Sequence, residues 1–208
     1  MVEPNAHAHS KEEAHRNQYQ DGGIGMSLTQ ETLRALIEDG AFELYGQPKW
    51  TFGKNTCNTY EVFAEVLHLP GGETVPGYGY VRRVTAERHT STVFSDWFMK
   101  SALGMIRRLI DQIGCDLVVA INVWPHSVNC PDFVEKTKAE LDLNNLAPRN
   151  LELETTEVDK LTARGIENLN ALKNMGAKLL FDNFAIGTNN LSLLSRLPFD
   201  GITLARCF

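Results

Sequence analysis

The chain has 208 residues, of which 43% are hydrophobic and 22% charged, the composition of an ordinary globular protein with enough apolar material for one sizeable core. Its 26 acidic residues outnumber 20 basic ones, for a formal charge of −6, which argues against a general nucleic-acid-binding surface, because phosphate contacts need clustered Lys and Arg. No apolar run reaches the roughly 18 residues of a membrane span, and the N-terminus lacks the apolar core of a secretory signal. The four cysteines, Cys57, Cys115, Cys130 and Cys207, are widely spaced with no CxxC pair. The expectation is therefore free thiols in a reducing cytoplasm, with neither a zinc site nor a disulfide framework.

Residues 1–26 carry few large apolar side chains and are rich in polar residues and glycine, so they are expected to form a disordered tail ahead of a single domain over 27–208. His7, His9 and His15 lie in this tail without a Cys or an acidic pair to complete a metal site. Folding is expected to begin at SLTQETLRALIEDG, where Ser27 and Gln30 make a capping box, Leu28, Leu33, Leu36 and Ile37 form an apolar stripe, and Gly40 ends the helix. FELYGQPKWTF and TYEVFAEVLHL alternate as strands, and the short turn-rich GKNTCN between them predicts antiparallel neighbours. A turn-rich PGGETVPGYG follows, then a helix around 79–89 and a long helix over VFSDWFMKSALGMIRRLIDQIG, whose aromatics at helical spacing read as packing.

From there the pattern is regular. DLVVAIN, NLELETTE, KLLFDNF and GITLARCF read as strands, alternating with helices over PDFVEKTKAELDL, GIENLNALKNMG and LSLLSRLP. Alternation of this kind predicts βαβ units and a largely parallel sheet with functional groups at the carboxyl ends of the strands. Three carboxylates and one amide stand at such ends: Glu65 in TYEVFAE, Asn122 in LVVAIN, Glu154 in LELETTE and Asp182 in KLLFD. Oxygen ligands converging on one rim suit a hard divalent cation such as Mg²⁺ or Mn²⁺. His126 and the pairs Arg82-Arg83 and Arg107-Arg108 read as surface or helix-start groups, and Leu191, Leu193, Leu194 and Leu197 as core.

In order along the chain, YGQPKW, AEVL, INVWP, LELETTE and FDNFAIGTNNLSLLSRLPFDGITLARCF resemble motifs of the EAL domain, the bacterial cyclic di-GMP phosphodiesterase domain. The resemblance implies an α/β modified TIM-barrel (EAL-type) fold, here lacking the last two strand–helix units, since such a barrel takes about 250 residues. It implies that Glu65, Asn122, Glu154 and Asp182 are metal ligands, that Gln47 contacts substrate, and that Glu157 supports the loop after the family's paired aspartates. It also marks losses. Asn183 stands in place of the second aspartate, Thr203 in place of a Lys thought to orient the nucleophilic water, Ala205 in place of the Asp beside it, and Leu69 in place of an Arg that binds substrate phosphate. The expected function is accordingly a catalytically impaired regulator in cyclic di-GMP signalling, which senses the nucleotide or binds a regulatory protein or a second copy of itself. The alternative is a metal-dependent phosphodiesterase yielding pGpG.

Overall fold

The computed structural model describes residues 29–51, 56–68, 72, 74–184 and 194–204. The expected tail, Ser27, Leu28, Leu69, Leu191, Leu193 and Ala205 lie outside the described residues. The chain opens with α1 (Gln30–Glu38), capped by Thr29, whose hydroxyl accepts from Thr32 N at 3.1 Å, so the observed cap is Thr29 where the sequence pointed to Ser27. Gly40, at φ +67°, ends this helix as expected.

β1 (Phe42–Thr51) and β2 (Thr56–His68) form the expected antiparallel pair, with Gln47 opposite Glu61 and Lys49 opposite Thr59. The register slips near Glu43 and Leu44, which leaves Glu65 as the unpaired residue of a bulge in β2. The segment expected to be all turn contains a short strand, β3 (Thr74–Pro76), paired antiparallel with β2. It leads directly into α2 (Gly77–Ala86), which starts two residues before the expected helix, and Glu87, in an extended conformation, separates α2 from α3 (Arg88–Ile113). Thr90 is why α3 begins five residues ahead of its apolar stripe: its buried hydroxyl donates to Val84 O at 2.7 Å and bridges the break.

Gly77 sits where α2 crosses the bulge. A Cβ there would lie 2.9 Å from the Glu65 carbonyl carbon and closer still to the Ala64 carbonyl oxygen, both fixed backbone atoms. Gly77→Ala is expected to cost about 1–3 kcal/mol of stability by overpacking. A urea midpoint equal to that of the parent would contradict this close approach.

Beyond α3, β4 (Val118–Asn122), the short and unexpected α4 (Pro125–Val128), α5 (Phe133–Leu143), β5 (Leu151–Thr155), α6 (Ala163–Asn174), β6 (Lys178–Phe184) and β7 (Gly201–Leu204) follow, and the helix expected over LSLLSRLP between β6 and β7 begins outside the described residues. The strand order is β1-β2-β4-β5-β6-β7, parallel from β2 onward, with β3 branching from β2. Alternation divides the sheet into two faces. One is apolar: Val62, Val119, Ile121, Leu151, Leu153, Leu179 and Phe181 are each at most 1% exposed and belong to the core that the helices cover. Phe42, Phe94, Trp97, Phe98 and Trp124 add an aromatic layer between strands and α3, with ring centroids 4.9–5.8 Å apart for the pairs Phe42–Trp97, Phe42–Phe94 and Phe98–Trp124. Among the described residues no helix is long and apolar enough to cross a membrane.

Candidate functional site

The other face of the sheet is polar. Register and alternation put Gln47 and Lys49 of β1, Glu61 of β2, Asn122 of β4, Glu152 and Glu154 of β5 and Asp182 of β6 on it. Two side chains, buried Asn150 and exposed Asp200, hold these strands in register. Asn150 donates to Leu117 O at 2.7 Å and to Asp116 Oδ1 at 2.6 Å, pinning the start of β5 to the start of β4. Asp200 accepts from Leu179 N at 2.8 Å while its own N–H donates to Leu179 O, which fixes β7 on β6. That anchoring brings Thr203 alongside Asp182.

Of the residues singled out in the sequence, the structure brings together Asn122, Glu154 and Asp182. The carboxylate that joins them is Glu61, and Glu65 is not part of the group. Asn122 Nδ2 donates to Glu61 Oε1 at 3.2 Å, and Glu61 hydrogen-bonds with Glu154. Glu65, in the bulge, is exposed and borders a shallow recess with Tyr45, Gly46, Gln47 and Phe63. The four-residue offset has a physical cause: Glu61 and Glu65 share the parity of a strand, so alternation cannot choose between them. Counting out from the hairpin turn does, because it sets Gln47 opposite Glu61.

Lys49 went unnoticed in the sequence. Its ammonium bonds Glu152 Oε1 at 2.7 Å and also contacts Glu154 Oε1. Burial works against the charge of Lys49, but the hydrogen bonds from Glu152 and Glu154 outweigh it and hold the group above its ordinary value. Glu154 moves the other way: burial first, and then the neighbouring Glu61 carboxylate, push it up to about 8, opposed by Lys49. Burial likewise raises Glu61, against the hydrogen bonds from Glu154 and Asn122. Three carboxylates, Glu61, Glu152 and Glu154, surround one ammonium here, and the upward shift of Glu154 reduces the excess negative charge.

At β6, Asp182, Asn183 and Thr203 form a closed knot. Asn183, at φ +51°, donates from Nδ2 to Asp182 Oδ2 at 2.6 Å. Thr203 donates its hydroxyl to Asp182 Oδ1 and accepts from Asn183 N at 3.1 Å. Both oxygens of Asp182 are thus engaged by neutral donors. Glu157 pairs with Lys160 three residues on, and the loop it was expected to support lies outside the described residues. Gln47 is exposed at the outer side of the group. His126 contacts Ala86 O at 3.2 Å, and Arg107 pairs with Asp111 along α3; neither reaches this face.

The fit to a divalent cation is uneven. Oxygen-only donors suit a hard cation, and Glu154 Oε2 is buried with no hydrogen-bond partner, the kind of orphaned oxygen a cation satisfies. As the side chains stand, though, no group of three or more His, Cys, Asp or Glu among the described residues could hold a metal ion. Among the described residues, the side chains that bond Asp182 are those of Asn183 and Thr203.

Several known proteins resemble the chain. It is 29% identical over 174 residues to the cyclic di-GMP phosphodiesterase RocR of Pseudomonas aeruginosa, a match covering 83% of this chain and 44% of that protein, so the chain spans less than half of that relative. Its fold matches the EAL enzyme Bd1971, solved with cAMP and cyclic di-GMP bound, with a TM-score of 0.75 at 22% identity over 85% of this chain and 49% of that one. It also matches the PaMucR phosphodiesterase in complex with c-di-GMP, with a TM-score of 0.73 at 21% identity over 85% of this chain and 72% of that one. These neighbours bear out the modified TIM-barrel type expected from the motifs. The model of the EAL domain matches residues 30–208, from the first residue of α1 through every described strand, and on that extent the chain belongs to the EAL domain family.

Proposed function

We propose that this domain works in cyclic di-GMP signalling as a catalytically impaired regulator, one that senses the nucleotide or engages a protein partner without turning the nucleotide over. The observation that carries the reading is the closed Asp182–Asn183–Thr203 knot. Phosphodiester cleavage by a pair of divalent ions needs charged oxygens bridging both positions. Here the second aspartate is an amide, the expected cationic group is a hydroxyl, and both donate to Asp182. Glu61, Asn122, Glu154 and Asp182 are the residues that would hold a single Mg²⁺ or Mn²⁺. Such an ion supplies Lewis-acid polarisation and screens a phosphate from the surrounding carboxylates.

That screening gives the ligand-sensing form a definite signature. Glu61, Glu152, Glu154 and Asp182 present negative charge to an anionic dinucleotide, and Lys49 is already committed to two of them. Cyclic di-GMP titrated calorimetrically in Mg²⁺ or Mn²⁺ should bind without yielding pGpG by chromatography, and EDTA should weaken that binding at least about tenfold, roughly 1.4 kcal/mol. Turnover to pGpG that Glu61→Gln abolishes would overturn the impaired reading. It would favour the alternative of an active phosphodiesterase, whose support is the orphaned Glu154 Oε2 and the named activity of RocR. Absence of binding in either buffer would leave recognition of a protein partner, or of a second copy, as the function. With this reading goes placement in the cytoplasm, where Cys57, Cys115 and Cys130, all free thiols, stay reduced.

A further inference from the structure

Lys49 reaches its carboxylates from across the sheet. It stands on β1 and they stand on β5, three strand spacings away in the order β1-β2-β4-β5, about 14 Å along a flat sheet. The sheet therefore curls about its polar face to bring them together. Nζ bonds Glu152 Oε1 at 2.7 Å and contacts Glu154 Oε1, while Glu154 also hydrogen-bonds with Glu61, which accepts from the Asn122 amide at 3.2 Å. Oxygens of this kind suit a hard cation, and the positive charge they hold belongs to the chain itself. The two parties differ in freedom. The side chains of Glu152 and Glu154 are 7% and 0% exposed and that of Lys49 is 26% exposed, so the ammonium has a way out to solvent and the carboxylates do not. Its withdrawal frees Glu154 Oε1.

We propose that Lys49 is the resident cation of this site: its ammonium fills the place of a divalent ion, which binds Glu154 only by displacing it. The inference rests on the reading that Glu61, Asn122, Glu154 and Asp182 would hold one such ion. Mg²⁺ takes a carboxylate oxygen at about 2.1 Å, so an ion and an ammonium on the same Glu154 carboxylate are like charges in close range, and their repulsion falls away when the ammonium swings out. Lys49 thus lowers the affinity for the ion and, in its absence, keeps the buried carboxylates neutralised, so that the polar face holds its shape without metal. Any ligand binding that needs the ion is then set by two cations competing for one carboxylate. The domain takes up an anionic dinucleotide only where the divalent ion is abundant enough to displace Lys49.

The test titrates Mn²⁺ by calorimetry, at constant pH, into the full chain and into its Lys49→Met variant. Lys49→Met should bind Mn²⁺ about tenfold or more tighter than the parent, because a like charge beside the ion is gone, and adding Glu154→Gln should abolish the gain. Mn²⁺ should also raise the urea midpoint of Lys49→Met more than that of the parent, since an ion bound only by the folded state stabilises it more the tighter it binds. In the parent, the NMR resonance of the Lys49 ε-methylene should move as diamagnetic Mg²⁺ is added, which reads the displacement without any variant. Equal Mn²⁺ affinity for the parent and Lys49→Met would overturn the proposal while leaving the ion site in place beside a purely structural ion pair. No Mn²⁺ binding by either protein would remove the ion site and the proposal together. A Lys49 resonance unmoved throughout the Mg²⁺ titration would overturn the proposal as well, and that measurement decides it even where Lys49→Met does not fold.

Discussion

Lys49→Met should lower the free energy of unfolding by about 3–5 kcal/mol, the cost of removing one partner from a buried charge group. Met keeps the length and most of the apolar stem, so the change isolates the ammonium. Without it, Glu152 and Glu154, whose side chains are 7% and 0% exposed, lose their shared cation. Lys178 does not replace it, because its ammonium lies 4.0 Å from Glu152 and half in solvent. Most of the cost is therefore the penalty of the Glu152 carboxylate, and of Glu154 once it ionises, left buried without a counter-charge, and it should shrink when those are neutralised. In urea unfolding, Lys49→Met combined with Glu152→Gln and Glu154→Gln should recover a substantial part of what Lys49→Met alone loses. A single variant within about 0.5 kcal/mol of the parent would mean that the ammonium does not hold these carboxylates in solution.

How far the sequence revealed this arrangement differs by element. The alternation of strands and helices from β4 to β6 was legible, because period 2 and period 3.6 are strong signals over long segments, while the helix expected over LSLLSRLP begins outside the described residues. The β1–β2 hairpin was legible too, including its antiparallel sense. The short strand β3 was hidden inside a run of turn residues, since three residues carry no periodicity. Three of the four expected rim residues, Asn122, Glu154 and Asp182, do stand together. Glu61 was missed in favour of Glu65 because a bulge is a property of two paired strands, and one strand read alone does not show it. Lys49 was missed for a related reason: its role comes from β5, about a hundred residues away in sequence. Asn183 and Thr203 were read as losses. The structure adds that both bind Asp182, a point no spacing rule contains.

Stability should fall as pH rises from about 4.5 to about 8, measured in EDTA so that no cation competes for the carboxylates. The direction follows from Glu154, which burial and the Glu61 carboxylate push up to about 8. In the unfolded chain the same group ionises near its ordinary value, about 4.3. Between these values the folded protein holds a proton that the unfolded chain has released, so each step up in pH favours unfolding, with a limiting slope of about 1.4 kcal/mol per pH unit for one proton. Glu61 on β2 and Asp182 on β6 oppose ionisation of Glu154, while Lys49 on β1 favours it and so narrows the pH window over which the decline runs. Below about 4.5 the sign reverses. Lys173 and the Leu179 N–H, working against burial, hold Asp200 below its ordinary value, so its contribution is present above the unfolded value and disappears as pH falls through the folded one. Urea unfolding at intervals from pH 4 to 9 should therefore peak near 5 and decline toward 8. Glu154→Gln, which cannot ionise, should flatten the decline. A parent protein as stable at pH 8 as at pH 5 would mean that Glu154 is ionised throughout, held by Lys49 alone.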